Sequence, residues 1–90
     1  MPYKFQIYDK TKKSFLKLDK QIQVKILKYF LNHDLLNNPQ IFGKALIGNK
    51  KGIWRYRVGD YRILCKIEDK ELIILATEIR HRRDVYEDKA

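Results

Sequence analysis

The chain has 90 residues, of which 20 are Lys or Arg and 11 are Asp or Glu, so it carries a formal net charge of +9 at pH 7. This length supports one modest hydrophobic core, which predicts a single domain over residues 1–90 and excludes a second one. So large a positive charge predicts a polyanion or an acidic protein as the partner.

The cysteine content and the hydropathy pattern narrow the class of protein further. Cys65 is the only cysteine, so no intramolecular disulfide can form, and we expect it to be a buried apolar residue rather than a reactive thiol. The chain shows no signal-peptide pattern and no run of about 18 apolar residues, which predicts a soluble cytoplasmic protein. Two distant histidines and one cysteine offer no metal-ligand set, and we expect no cofactor.

A short strand and a helix are predicted at the start of the chain. Tyr3, Phe5 and Ile7 alternate with Lys, Gln and Tyr, which predicts a strand with one buried face. Asp9 is a candidate N-cap for a first helix that runs to about residue 18. The inner side of this helix is predicted to carry Phe15 and Leu18.

A second, longer helix is predicted from Asp19, its candidate N-cap, to the turn at Asn37-Asn38-Pro39. Its apolar residues recur at spacings of four and three, which predicts a stripe that faces inward. The members of this stripe are Ile22, Ile26, Leu27, Phe30 and Leu31. His33 is placed near the end of this helix, and the two helices are predicted to cover a sheet.

The stretch GIWRYRVGDYRILCKI, residues 52–67, predicts a β-hairpin that follows a connection over residues 40–51. Gly59-Asp60 is a two-residue loop of the Gly-X kind that hairpins favour. This turn would pair Val58 with Tyr61, Arg57 with Arg62, and Arg55 with Leu64. One face of the hairpin would then be apolar, and the other would carry the three arginines.

The cluster of Arg55, Arg57 and Arg62 has two interpretations. Like charges opposite each other across a strand pair are unfavourable, so a sheet built only for stability rarely places them so. The guanidinium group offers a fixed fork of donors that suits phosphate oxygens. The cluster is therefore either a solvated basic surface or a phosphate site.

A third apolar strand is predicted from Leu72 to Ile79, after a turn at residues 68–71. Its inward residues Leu72, Ile74 and Ala76 would join Ile63, Cys65 and Ile67 under the helices. Leu64, Ile73 and Leu75 would fall on the opposite face, beside the arginines, as a small exposed apolar patch. Either the tail of the chain or a partner is expected to cover this patch.

The last feature is the basic run RHRRDVY, residues 80–86. If the third strand lies beside the hairpin, this run ends near the arginine cluster. His81 and Tyr86 would then be either structural residues or part of a shared site.

The stretch NNPQIFGKALIGNKKGIWRYRVGDYRIL, followed by an apolar strand and HRRDVY, closely resembles the RelE/ParE superfamily of toxins from type II toxin–antitoxin systems. The resemblance covers almost the whole chain, and WRYRVGDYR and HRRDVY are its most specific parts. It implies an α+β fold in which two N-terminal helices pack on a four-stranded antiparallel sheet, in the order β-α-α-β-β-β. It also implies a small antitoxin that wraps the toxin and buries the basic surface, with Leu64, Ile73 and Leu75 as its contacts.

The resemblance also implies which residues contact RNA. Arg55 and Arg57 fall where RelE-like nucleases carry basic residues, Arg62 matches the arginine after the Gly-x-Tyr element, and Tyr86 matches the tyrosine of the C-terminal motif. Among residues 80–82 the correspondence is ambiguous, and this chain has Arg80 where relatives commonly have Gly. The further RNA-binding residues implied are Lys50, Lys51, Arg80, Arg82 and Arg83.

RelE-like members cleave messenger RNA in the ribosomal A site, whereas ParE-like members poison DNA gyrase, so the fold alone leaves the target open. Cleavage by attack of the RNA 2′-hydroxyl needs a proton acceptor and a means to neutralise the phosphorane. Arginines suit the second task but are poor bases, and the sequence indicates no well-placed acidic residue. The hypothesis is therefore that His81 transfers the proton and Tyr86 positions the RNA, on one surface with the arginines. A gyrase inhibitor and an inactive binding member are the alternatives.

Overall fold

The computed structural model describes residues 2–46 and 52–83, which form a sheet with helices on one face. The sheet has five strands in the order β1-β5-β4-β3-β2. In chain order the elements are β1 (Lys4–Ile7), α1 (Asp9–Leu16), α2 (Lys20–Phe30), α3 (His33–Asn37), α4 (Pro39–Phe42), β2 (Lys44–Ala45), β3 (Ile53–Val58), β4 (Tyr61–Glu68) and β5 (Ile73–His81). None of the helices within the described ranges is long and apolar enough to span a lipid bilayer.

The α+β fold with N-terminal helices on a sheet is confirmed, but the predicted four-stranded antiparallel sheet is wrong in two details. Strand β1 pairs with β5 in parallel, with Phe5 opposite Ile74 and Ile7 opposite Ala76. The fifth strand is the two-residue β2, in which Lys44 lies opposite Arg55. Two residues are too few to show alternation, so β2 had no signal in the sequence.

Some helix ends differ from the prediction. Asp9 is the first residue of α1 rather than its cap. Asp19 occupies the N-cap position of α2, as predicted, although its side chain makes no capping hydrogen bond. The second helix ends at Phe30, so Leu31 is 57% exposed and does not belong to the inward stripe. His33 was predicted to lie near the end of the second helix. It is instead the first residue of a separate helix, α3.

The break before α3 is explained by Asn32. Its side-chain oxygen accepts hydrogen bonds from the backbone N–H groups of Asp34, at 2.9 Å, and Leu35, at 3.3 Å. An N-cap of this kind satisfies donors that a helix start leaves unpaired. The cap therefore starts a new helix inside the segment predicted as one.

The hydrophobic core lies between the helices and one face of the sheet. The rings of Phe5 and Phe30 stack with centroids 4.3 Å apart, and the ring of Tyr56 meets Phe30 edge-on at 5.1 Å. Cys65 is free and fully buried, as predicted, and burial raises the pKa of its thiol. The other core residues are Phe15, Ile26, Leu35, Val58, Ile63, Ile74 and Ala76.

A β-bulge interrupts the pairing of β4 with β5. Leu64 lies opposite Glu78 and Cys65 lies opposite Ala76, so Thr77 is an extra residue in β5. Without this extra residue, strict alternation from Ala76 would turn Glu78 and Arg80 toward the helices. Burying their charges would be costly. The bulge instead keeps the charged residues at the end of β5 on the face away from the helices.

The bulge is held by Thr11 of α1, which is 4% exposed and donates a hydrogen bond from Oγ1 to the backbone oxygen of Thr77 at 2.6 Å. We expect Thr11→Val to lower the free energy of unfolding by about 1 kcal/mol, because the backbone oxygen of Thr77 loses its hydrogen-bond donor. Urea unfolding measures this, with Ser14→Ala on the exposed side of α1 as the control. Equal unfolding midpoints for the two variants would contradict it.

Candidate nucleic-acid interface

Three arginines from three adjacent strands lie opposite one another on the face away from the helices. Arg57 of β3 pairs with Arg62 of β4, as predicted, and Arg62 pairs with Arg80 of β5. We call Arg57, Arg62 and Arg80 the arginine row. Adjacent strands are about 4.8 Å apart, so the row spans about 10 Å across the sheet.

A second line of residues crosses the same face, two residues along each strand from the arginine row. Arg55 lies opposite Leu64, as predicted, and opposite Lys44 of β2. Leu64 in turn lies opposite Glu78. This line adds two cations and one carboxylate beside the arginine row, and neither Lys44 nor Glu78 was identified from the sequence.

Glu78 contacts the arginine row directly. Its Oε1 accepts hydrogen bonds from Nε of Arg80, at 3.0 Å, and from Nη2 of the same guanidinium. Like charges opposite each other are unfavourable in a sheet, and Glu78 offsets part of this repulsion at one end of the row. The bulge brings both residues to this face. Strict alternation along the sequence would place Glu78 on the helix side instead, so the sequence analysis did not identify it.

The prediction that His81 shares a face with the arginines is wrong. His81 lies opposite Tyr61, which lies opposite the buried Val58, so the imidazole is on the helix side of the sheet. Its ring meets Tyr61 edge-on at 5.0 Å, and Nδ1 accepts a hydrogen bond from the backbone of Arg83 at 3.2 Å. Successive residues of a strand point to opposite faces, so the residue after Arg80 cannot join the row.

The basic run after β5 lies beside the hairpin turn. The backbone N–H of Arg82 donates to the carbonyl of Asp60 at 2.7 Å, and the side chains of the two residues form an exposed ion pair of 3.9 Å. Arg83 is exposed next to it. The other predicted site residues, Lys50, Lys51 and Tyr86, lie outside the described residues.

The predicted apolar patch is smaller than expected. Ile73 and Leu75 are half-buried, but Leu64 is only 7% exposed. Leu64 is flanked by Arg55 and Glu78, whose aliphatic stems can cover an apolar neighbour. The prediction that Leu64 is exposed is therefore wrong. Ile73 and Leu75 remain as candidate partner contacts.

The face that carries the arginine row is rich in cations. Residues 2–46 and 52–83 contain no group of three or more His, Cys, Asp or Glu side chains placed to hold a metal ion. The arginine row can instead donate several hydrogen bonds to anionic oxygens, with permanent charge. This arrangement suits a phosphate backbone.

Comparison with known proteins identifies the family. A family model described as the ParE toxin of the type II toxin–antitoxin system parDE matches residues 6–86. Toxin RelG of Mycobacterium tuberculosis is 28% identical over 86 residues, which cover 96% of this chain and 98% of RelG.

Solved structures with the same fold include toxins in complex with antitoxins. In the RelBE2 toxin–antitoxin complex from Mycobacterium tuberculosis, the matched chain is 27% identical, with a TM-score of 0.80 over 91% of this chain and 100% of that one. The isolated Escherichia coli RelE toxin matches with a TM-score of 0.73 at 18% identity, over 96% of this chain and 93% of that one, which shows the fold alone. The chain therefore belongs to the RelE/ParE superfamily of toxins from type II toxin–antitoxin systems.

Proposed function

We propose that this toxin is a ribosome-dependent endoribonuclease that cleaves translated messenger RNA in the A site. The observation that carries the proposal is the arginine row, in which three guanidinium groups from three strands occupy one face of the sheet. The resemblance to RelE-like toxins, which cleave messenger RNA there, supports the same reading.

The proposed reaction on the ribosome consumes no co-reactant besides the RNA. The 2′-hydroxyl loses its proton, the 2′-oxygen forms a bond to the adjacent phosphorus, and the bond from phosphorus to the 5′-oxygen breaks. The departing 5′-oxygen takes up one proton from water, and the products are a 2′,3′-cyclic phosphate and a 5′-hydroxyl. Arg57, Arg62 and Arg80 would neutralise the charge that develops on the phosphorane oxygens. Their fork geometry suits this task better than the point charge of a lysine.

Two groups are candidates to accept the proton of the 2′-hydroxyl, and they lie on different faces. Glu78 shares the face of the arginine row, whereas His81 lies with Tyr61. Both hydrogen bonds from the Arg80 guanidinium to Glu78 go to Oε1, so this pair does not engage the second carboxylate oxygen. Glu78 is therefore the better placed of the two.

We expect Glu78→Gln to lower the cleavage rate by about 10²-fold, the lower end of the usual contribution of a general base. His81→Ala should have a smaller effect, because its ring is on the other face. Cleavage rates in a translating extract compare the two variants. The reverse order of effects would assign proton transfer to His81, as the sequence alone suggested.

For the remaining site residues we propose the roles that the sequence analysis predicted. Tyr86 would position the RNA by stacking or hydrogen bonding. Lys50, Lys51, Arg82 and Arg83 would attract the RNA backbone without reading its sequence.

The proposed partner besides the ribosome and its messenger RNA is a cognate antitoxin, and the proposed location is the cytoplasm. The antitoxin would cover the half-buried Ile73 and Leu75 together with the basic face. An acidic segment with apolar anchors has the chemistry that this surface requires.

The test is to induce the chain in cells and to map the 5′ ends of messenger RNA. We expect growth arrest with new 5′ ends that follow the codon phase and are confined to translated regions. Growth arrest without such ends would refute the ribonuclease proposal.

A gyrase-directed inhibitor is the second candidate, because the matching family model is described as a ParE toxin. It would need no RNA chemistry. Accumulation of DNA cleavage complexes with intact messenger RNA would favour it, and expression without growth arrest would favour an inactive binding member.

A further inference from the structure

A cleft lies at the edge of the sheet where β2 ends and β3 continues. Its volume is about 380 Å³. We call it the edge cleft, and the residues that matter for its chemistry are Tyr29, Phe42, Lys44, Arg55 and Arg57. Arg57 belongs both to this cleft and to the arginine row, so the two sites adjoin.

The wall of the edge cleft is fixed by the core beneath it. The buried hydroxyl of Tyr56 donates to the backbone oxygen of Pro39 at 2.6 Å, which anchors α4. Gly43 lies directly on the ring of Tyr56, so closely that a Cβ there would be 2.8 Å from Cζ. Tyr29 packs edge-on against Phe30 at 5.2 Å and against Tyr56 at 6.3 Å. The cleft is therefore preformed rather than assembled by its ligand.

The lining combines exposed apolar groups with cations. Phe42 is 42% exposed and Ile41 is 76% exposed, although both are large apolar residues. The lining contains three cationic residues and no carboxylate. Exposed aromatic rings beside a positively charged surface are the arrangement by which proteins bind single-stranded nucleic acid, since every base has a face that can stack.

We propose that the edge cleft binds one nucleotide of single-stranded RNA, with the base against Phe42 and the phosphate held by Arg55 and Arg57. The volume is at the low end of small-ligand sites, about 300 to 1,000 Å³, and suits one nucleotide rather than several. The proposal rests on the proposed ribonuclease function and deepens it. Because Arg57 is shared with the arginine row, the bound nucleotide is a neighbour of the cleaved bond, and the cleft contributes to the choice of sequence.

The test measures binding of short RNA to the full chain by fluorescence anisotropy at low salt. The probe is a labelled hexanucleotide with 2′-O-methyl groups, so that no 2′-hydroxyl can attack. We expect Phe42→Ala to weaken its binding roughly 5- to 150-fold, which is the usual effect of removing one stacking aromatic residue. The same oligonucleotide made abasic should bind the variant and the unmodified chain equally, because its phosphates remain.

Tyr8→Ala is the matched control, since Tyr8 is a similarly exposed aromatic residue, at 46%, that follows β1 at the opposite edge of the sheet. It should leave binding of both probes unchanged. Equal effects of the Phe42 and Tyr8 variants, or an equal loss for the intact and abasic probes, would overturn the proposal. Binding of an acidic apolar peptide that depends on Phe42, while RNA binding does not, would also overturn it and assign the cleft to a protein partner.

The result is separable from the proposed function because the probe cannot be cleaved. Cleavage of messenger RNA in a translating extract is measured on the same preparations. A chain that binds the probe through Phe42 but cuts no message would refute the ribonuclease proposal and support the nucleotide site.

Discussion

Replacing Arg62 with alanine is expected to slow cleavage of translated messenger RNA by roughly 10²- to 10³-fold, the usual cost of removing one preorganised donor to a transition-state oxyanion. Arg62 is the middle member of the arginine row, between Arg57 and Arg80. Its loss therefore removes the charge that the other two flank. The measurement is the rate of appearance of new 5′ ends in a translating extract at a fixed toxin concentration.

Two further variants make this result specific. Lys66→Ala removes an exposed cation from the same strand and the same face, four residues and about 13 Å away, and it should cleave at nearly the original rate. The cleavage rate of Arg62→Lys should lie between those of Arg62→Ala and Lys66→Ala, because lysine keeps the charge but lacks the planar fork of the guanidinium group. Equal rates for the alanine variants at positions 62 and 66, with both folded, would argue against the arginine row as the site of cleavage.

Gly43→Ala is expected to lower the free energy of unfolding by about 1–3 kcal/mol, the usual cost of overpacking a well-packed site. The added Cβ would lie 2.8 Å from Cζ of Tyr56. That ring is fully buried and its hydroxyl is bonded to Pro39, so it has little freedom to move away. Urea unfolding followed by circular dichroism measures the loss.

The neighbouring Lys44→Ala variant is the control for Gly43. Lys44 is exposed, and an exposed substitution usually changes stability by less than about 0.5 kcal/mol. A Gly43 variant as stable as the Lys44 variant would show that Tyr56 can shift, and that the wall of the edge cleft is less rigid than its contacts indicate.

The hairpin was the part of the fold that the sequence predicted best. The pairs of Arg57 with Arg62 and Arg55 with Leu64 are confirmed. The reason is physical: a two-residue turn leaves little choice of register, and a slip by one residue would turn every buried side chain outward. The burial of Cys65 followed from the same alternation.

The bulge could not be predicted, and most errors at the site follow from it. Strict alternation along β5 gives no sign that Thr77 is an extra residue, so Glu78 was overlooked and His81 was assigned to the wrong face. The edge cleft was missed for a different reason. Tyr29 and Phe42 come from separate helices, and only tertiary packing brings them beside Arg57.

The bulge at Thr77 also affects how a protein partner can cover this face. A bulge bends its strand and increases the local twist, so Ile73 and Leu75 before it and Arg80 after it lie on surfaces that are tilted relative to each other. A straight, rigid ligand cannot lie flat on both. An inhibitor that blocks the whole face must therefore change direction midway, which favours two short binding segments joined by a pliable link over one continuous helix.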